Sequence, residues 1–163
     1  MSSLNNWATP PDLFAAVNAA FGPFTLDAAA SASNTKCDRY YDLAADGLKQ
    51  PWHYITWCNP PYTVLGEPVI GKWVAKAIAE AEQGVRSVLL IPYDASTATF
   101  NRLVLPNASL IVLLTGPRIR FIDPTSAGRS APRGCHYLAV FGHTELSNRT
   151  LWWDWRNQPL QLA

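Results

Sequence analysis

At 163 residues, with 48% hydrophobic and 12% aromatic content, the chain has enough apolar material to pack one domain spanning residues 1–163, and disorder as its dominant state is excluded. No apolar run approaches the ~18–20 residues of a membrane span, and Met1 to Trp7 has neither the basic nor the apolar part of a signal peptide, so a soluble, cytoplasmic protein without a membrane partner is expected. The net charge of +1 hides a division: residues 1–101 hold 6 Lys/Arg against 9 Asp/Glu (−3), whereas residues 102–133 hold 5 Arg against Asp123 (+4), so near-neutrality does not exclude a polyanionic partner.

In chain order, Thr9-Pro10-Pro11-Asp12 reads as a helix start capped by Thr9, followed by Leu13, Phe14, Val17 and Phe21 at helical spacing and stopped by Gly22-Pro23. A short strand, Phe24 to Leu26, runs into Asp27 and a series of small residues, Ala28 to Ser33. A strand ending in a carboxylate and small residues is a ligand-shaped junction in α/β folds. Residues 34–50 are polar and irregular. Tyr54 to Cys58 is a β-branched and aromatic strand halted by Asn59-Pro60-Pro61-Tyr62. Residues 72–83 form the clearest helix, and Val85 to Ile91 is an apolar strand of the kind buried on both faces of a parallel sheet.

Ser96 or Thr97 opens a further helix that Pro106-Asn107 ends, and Leu110 to Leu114 is another buried strand. Pro117 to Ile122 and Tyr137 to Phe141 read as a strand pair joined by the Pro/Ser/Gly/Arg-rich loop Asp123 to Gly134. The tail carries Trp152, Trp153 and Trp155, read as sheet-edge packing, with an exposed aromatic patch for homo-oligomer formation left open. Strands alternating with helices predict a compact α/β domain with a mostly parallel central sheet and a C-terminal antiparallel strand pair. Cys37, Cys58 and Cys135 fit neither a disulfide framework nor a zinc pattern and are expected to be free and buried. His53, His136 and His143 show no spacing for a metal or a triad, so no metal is expected.

Asn59-Pro60-Pro61-Tyr62 is the most specific signal. The Asn59 side-chain oxygen and the Pro60 carbonyl can accept both hydrogens of one exocyclic amine, Pro61 stiffens the loop, and Tyr62 offers a face for a planar base. Two acceptors without a strong base suit an amine nitrogen that attacks directly and sheds its proton afterwards. Arg118 and Arg120 alternate, so they share a face, and with Arg129 and Arg133 they form either a phosphate-binding ridge or a solvated rim.

The chain resembles phage-type DNA N6-adenine methyltransferases. Trp7-Ala8-Thr9-Pro10, Leu26-Asp27-Ala28-Ala29-Ala30, Asn34 with Cys37 and Tyr40, Asp46-Gly47-Leu48 before Trp52, Cys58-Asn59-Pro60-Pro61-Tyr62, and Gly116 to Phe121 with Phe141-Gly142 follow that family's order and approximate spacing. The resemblance implies a Rossmann-like fold, S-adenosylmethionine as donor, double-stranded DNA as substrate, and a phage or prophage origin in a bacterial host; the length of 163 residues leads to the expectation of no separate target-recognition domain. It further implies that Asn59 to Tyr62 hold a flipped adenine, that Asp27, Ala28 and Ala29 approach the donor's methionine part, that Asp46 accepts from its adenine amine, and that Trp7, Thr9 and Pro10 close over it. The donor turn departs from Gly-rich relatives, having no glycine from Phe24 to Asp46. Asp27 as a helix cap and Asp46 as a turn residue stay open, as do an acceptor in protein glutamine or RNA and a DNA-binding relative without activity.

Overall fold

A computed structural model describes residues 7–123, 134–146 and 149–162. A six-stranded sheet is built from β1 (Leu26–Asp27), β2 (Ile55–Cys58), β5 (Arg86–Pro92), β6 (Leu110–Leu114), β7 (His136–Phe141) and β8 (Arg149–Trp153), in the spatial order β1-β2-β5-β7-β6-β8. β1, β2 and β5 pair in parallel, as do β6 and β8, while β7 runs antiparallel between β5 and β6. Before β5 come a two-stranded hairpin, β3 (Thr63–Val64) with β4 (Glu67–Pro68), and the helix α2 (Ile70–Glu82); α1 (Pro11–Phe21) precedes β1.

The period of two along each strand divides the core. Leu89 and Ile91 of β5, with Tyr137, Ala139 and Phe141 of β7, pack toward Trp73, Val74 and Ala77 of α2. Val88 and Leu90, with Leu138 and Val140, pack toward Leu13, Val17 and Phe21 of α1 and toward Trp153 and Trp155. Both faces of β5 and β7 are therefore covered, which is why their sequences are almost continuously apolar. A π-helical segment, Phe100–Val104, runs into α3 (Leu105–Asn107) on the α2 side, and Thr97 Oγ1 accepts the Phe100 N–H (3.2 Å) at its start.

The α/β class and the mostly parallel sheet are as expected. Three details differ. Thr9 makes no capping bond; Pro10 occupies the cap position, and its carbonyl accepts the Phe14 N–H (3.0 Å). Residues 117–121 form no strand, and antiparallel β7 pairs with β5 and β6 instead, because its six buried residues need neighbours on both sides. Of the expected strand Pro117 to Ile122, Ile122 alone makes a bridge, and its partner is Ala8. Cys37, Cys58 and Cys135 are free, but of the three Cys58 alone is buried; Cys37 is half-buried and Cys135 exposed. The tryptophan tail does pack at the sheet edge: Trp153 and Trp155 are buried, while Trp152 on the opposite face of β8 is 70% exposed. No helix among the described residues is long and apolar enough to cross a membrane.

Candidate active site

The carboxyl ends of β1, β2, β5 and β6 lie along one edge of the sheet, and antiparallel β7 begins there, Pro92 pairing with His136. Asp27 pairs with Trp57, two residues before Asn59, so the small-residue junction and the Asn-Pro-Pro-Tyr loop leave adjacent strands, a spacing of about 4.8 Å. Ala28 N–H donates to the Trp57 carbonyl (2.9 Å), which carries the pairing to the edge itself.

The Asn59 amide is oriented from a distance in sequence. Its Nδ2 donates to the Trp7 carbonyl (3.0 Å), which assigns the other end of the amide, Oδ1, as an acceptor for another donor. Trp7 is held because Ala8 and Ile122 exchange both backbone bonds (2.9 and 3.0 Å). Phe121, next to Ile122, packs its ring 5.0 Å from that of His136, and His136 lies 6.1 Å from the Tyr62 ring. Asn59, Trp7, Ala8, Ile122, Phe121, His136 and Tyr62 thus close a circuit of contacts around the two prolines. Pro60 within it is buried.

His136 gave no signal in the sequence, where a lone histidine in an apolar strand looks ordinary. Here it is 3% exposed, its Nε2 is buried without a partner, and burial depresses its pKa to about 4 against a bond to the Gly134 carbonyl. A neutral ring bonded through Nδ1–H leaves the Nε2 lone pair as a buried acceptor. A cavity of about 200 Å³ beside it is also lined by Thr115, Arg118 and Cys135. Arg118 and Arg120 are exposed while Ile119 and Phe121 are buried, so the alternation puts both guanidinium groups on the outer side without a strand. Arg129 and Arg133 lie outside the described residues.

On the other side of the loop, Asp27 is 3% exposed and burial pushes its pKa up to about 6, against the Lys36 and Ala29 N–H groups (2.9 and 3.5 Å) and the Lys36 charge. The N–H bonds close the small-residue turn onto the carboxylate. The same turn receives the segment after it: Asp27 N donates to Arg39, Ala30 N to Tyr41, and Tyr41 N to Asp27 (2.9–3.0 Å). Gly47 sits so close to Ala28 that a Cβ there would lie 2.0 Å from the Ala28 carbonyl oxygen, and the Gly47 carbonyl accepts from Trp52 Nε1 (2.9 Å). The Asp-Gly pair in the sequence was the available signal for this approach, which is made by Gly47. Asp46 itself has φ 56, accepts from Leu48 N (3.2 Å) and pairs with Lys49 (3.0 Å), whose bond holds its carboxyl below the usual range.

Burial pushes the Cys58 thiol well above its ordinary pKa, and burial followed by the Asp27 and Asp38 charges pushes Cys37 to about 12, so neither is a thiolate at neutral pH. Among the described residues no group of His, Cys, Asp or Glu is arranged to hold a metal ion. The structure therefore joins Trp7 to Asn59 and brings Gly47 against Ala28, at the ends of adjacent strands of one sheet edge. Thr9 and Pro10, which connect Trp7 and Ala8 to α1 along the chain, are buried.

The model of the family described as DNA N-6-adenine-methyltransferase (Dam) matches residues 2–151. A protein of Escherichia phage T1 named "DNA N-6-adenine-methyltransferase" is 34% identical over 126 residues, 76% of this chain and 50% of that protein. The Escherichia coli (strain K12) protein named "Putative methyltransferase YfdM" is 34% identical over 65 residues, 36% of this chain and 71% of its own length. The chain therefore spans about half the length of the phage T1 relative.

Proposed function

The chain belongs to the DNA N-6-adenine-methyltransferase (Dam) family, and from that premise we propose that it transfers a methyl group from S-adenosylmethionine to N6 of a flipped adenine in double-stranded DNA. The observation that carries the proposal is the Asn59 amide, fixed by the Trp7 carbonyl with Oδ1 left as acceptor. Adenine N6 bears two hydrogens, which match Asn59 Oδ1 and the Pro60 carbonyl. Accepting both turns the N6 lone pair out of conjugation with the ring and toward an electrophile. Tyr62, backed by His136, stacks on the base, an interaction worth ~1–3 kcal/mol.

S-adenosylmethionine supplies an electrophilic methyl group on a cationic sulfonium. The fold suits such a group: Asp27 has the raised pKa of a buried carboxylate short of positive charge, and a neighbouring cation would lower it again. Asp27 with Ala28 and Ala29 holds the methionine end, Asp46 accepts from the donor's adenine amine, and Trp7, Thr9 and Pro10 close the N-terminal side. This assigns a Rossmann-like layout to the sheet, with donor and base on neighbouring strand ends. As N6 bonds the methyl carbon, the methyl–sulfur bond would break with its electron pair going to sulfur, leaving a neutral thioether, and the positive charge then on N6 is stabilised by the two acceptors until its proton leaves to water. Arg118 and Arg120, with Arg129 and Arg133, hold phosphates of DNA in the host cytoplasm.

The test is incorporation of labelled methyl groups into duplex DNA by the wild type and by Asn59→Ala. The variant is expected to lose about 100-fold or more in kcat, the scale of removing one pre-oriented hydrogen-bonding partner of a developing charge, while retaining donor binding. Labelling of protein or RNA in place of DNA redirects the acceptor assignment, and unchanged turnover in Asn59→Ala overturns the role of the loop.

A further inference from the structure

The hairpin that follows the Asn-Pro-Pro-Tyr loop breaks local rules at its tip. β3 and β4 are joined by Leu65 and Gly66, with φ 51 and 85, a two-residue turn with both central residues left-handed. Asparagine or aspartate suits the first of these positions, and a γ-branched aliphatic side chain is strained there. Leu65 is also 100% exposed, and Val64 beside it is 45% exposed. An apolar residue held in an unfavourable backbone conformation, with its whole surface in water, gains nothing within the folded chain. Such departures concentrate where the surface meets a ligand.

The hairpin is tied to the base pocket by more than sequence. Val69 N–H donates to the Tyr62 carbonyl (3.1 Å), closing the hairpin at the residue that stacks on the base, and Val69 is buried in the α2 core. Asn59 is held by Trp7 and Tyr62 lies against His136, so the base of the hairpin is fixed from both sides. From Tyr62 to Leu65 the chain reaches about 10 Å, three residue steps at ~3.3 Å each. Either groove of B-DNA is roughly 7.5–8.5 Å deep. The hairpin has no Lys or Arg and one carboxylate, Glu67, which makes it unsuited to phosphate binding. Its tip is suited to an unstacked base step, where apolar wedges insert.

We propose that Leu65, with Val64 behind it, is the wedge that enters the base stack and fills the gap left by the flipped adenine. The inference rests on the function proposed above and adds the residue that holds the duplex open. The predicted variants are Leu65→Asn and Leu65→Gly, both of which suit the left-handed conformation, so thermal stability is expected to be equal or higher. On a matched duplex their kcat/KM should fall about 10-fold or more, and a 2-aminopurine placed at the target should lose the fluorescence rise that reports unstacking. On a duplex with an abasic site opposite the target, where no base pair must be broken and no orphaned partner base needs a filler, they should stay within about 3-fold of wild type. Equal losses on both substrates, or full activity on the matched duplex, overturn the wedge and leave the methyltransferase reading standing. Wild-type protein that methylates neither duplex overturns that reading and the wedge with it.

Discussion

Replacing Asp27 with asparagine separates stability from function. Burial raises this carboxyl from 3.8 to about 6, a gap of roughly 2 pKa units at ~1.4 kcal/mol each. Because the folded value is the higher one, the contribution is fully favourable below pH 3.8 and is lost as pH rises through 6; the ionised group then costs the fold about 3 kcal/mol at pH 8 and only ~0.5 kcal/mol at pH 4. Asparagine does not titrate. Its oxygen can keep the Lys36 N–H bond at 2.9 Å, while the weaker contact at 3.5 Å to Ala29 N–H meets an NH₂ group and forfeits up to about 1 kcal/mol. Asp27→Asn should therefore be more stable by about 2 kcal/mol at pH 8, or ~4–8 °C in Tm, and slightly less stable at pH 4. Urea denaturation of both proteins from pH 4 to pH 8 measures the difference directly. The same change removes the negative charge assigned to the donor's ammonium, so calorimetry should show weaker S-adenosylmethionine binding by the more stable protein. A stability gain independent of pH, or a loss at pH 8, would refute the reasoning.

His136→Phe should show the opposite pH dependence: the wild-type ring, depressed from 6.5 to about 4, loses stability as pH falls from 6.5 toward 4, by about 3 kcal/mol in all, so the variant's relative gain should appear in acid urea titrations and vanish near pH 8. Gly47→Ala places a Cβ 2.0 Å from a backbone oxygen that cannot swing away; a loss of at least ~1–3 kcal/mol is expected in thermal melts, together with weaker donor binding. Trp57, 1% exposed and 5.5 Å from Phe14 and 5.7 Å from Phe24, should cost ~3–5 kcal/mol as alanine. Trp152→Ser, at a 70% exposed position, should stay within ~0.5 kcal/mol in the same assay.

Local chemistry and periodicity already determined much of this protein. The strands before Asn59 and around Val88, α1 and α2, and the pairing of a rigid Pro-Pro turn with two acceptors all follow from contiguous residues whose spacing sets which face they bury. The same holds for Asp27 at a strand end, since a carboxylate followed by small residues is a local pattern. Three matters were decided only by the tertiary structure. Arg118 to Phe121 alternates like a strand, but β7 found its neighbours in β5 and β6, a choice made by burial on both faces that no window of sequence contains. His136 becomes part of the site because β7 runs antiparallel and so starts at the edge where the parallel strands end. The orientation of Asn59 depends on a carbonyl 52 residues away, delivered by the Ala8–Ile122 bridge. Hydrogen-bonded and packed partners of this kind are set by chain crossing and strand order, so the sequence names the acceptor, and the assembled sheet decides where it points.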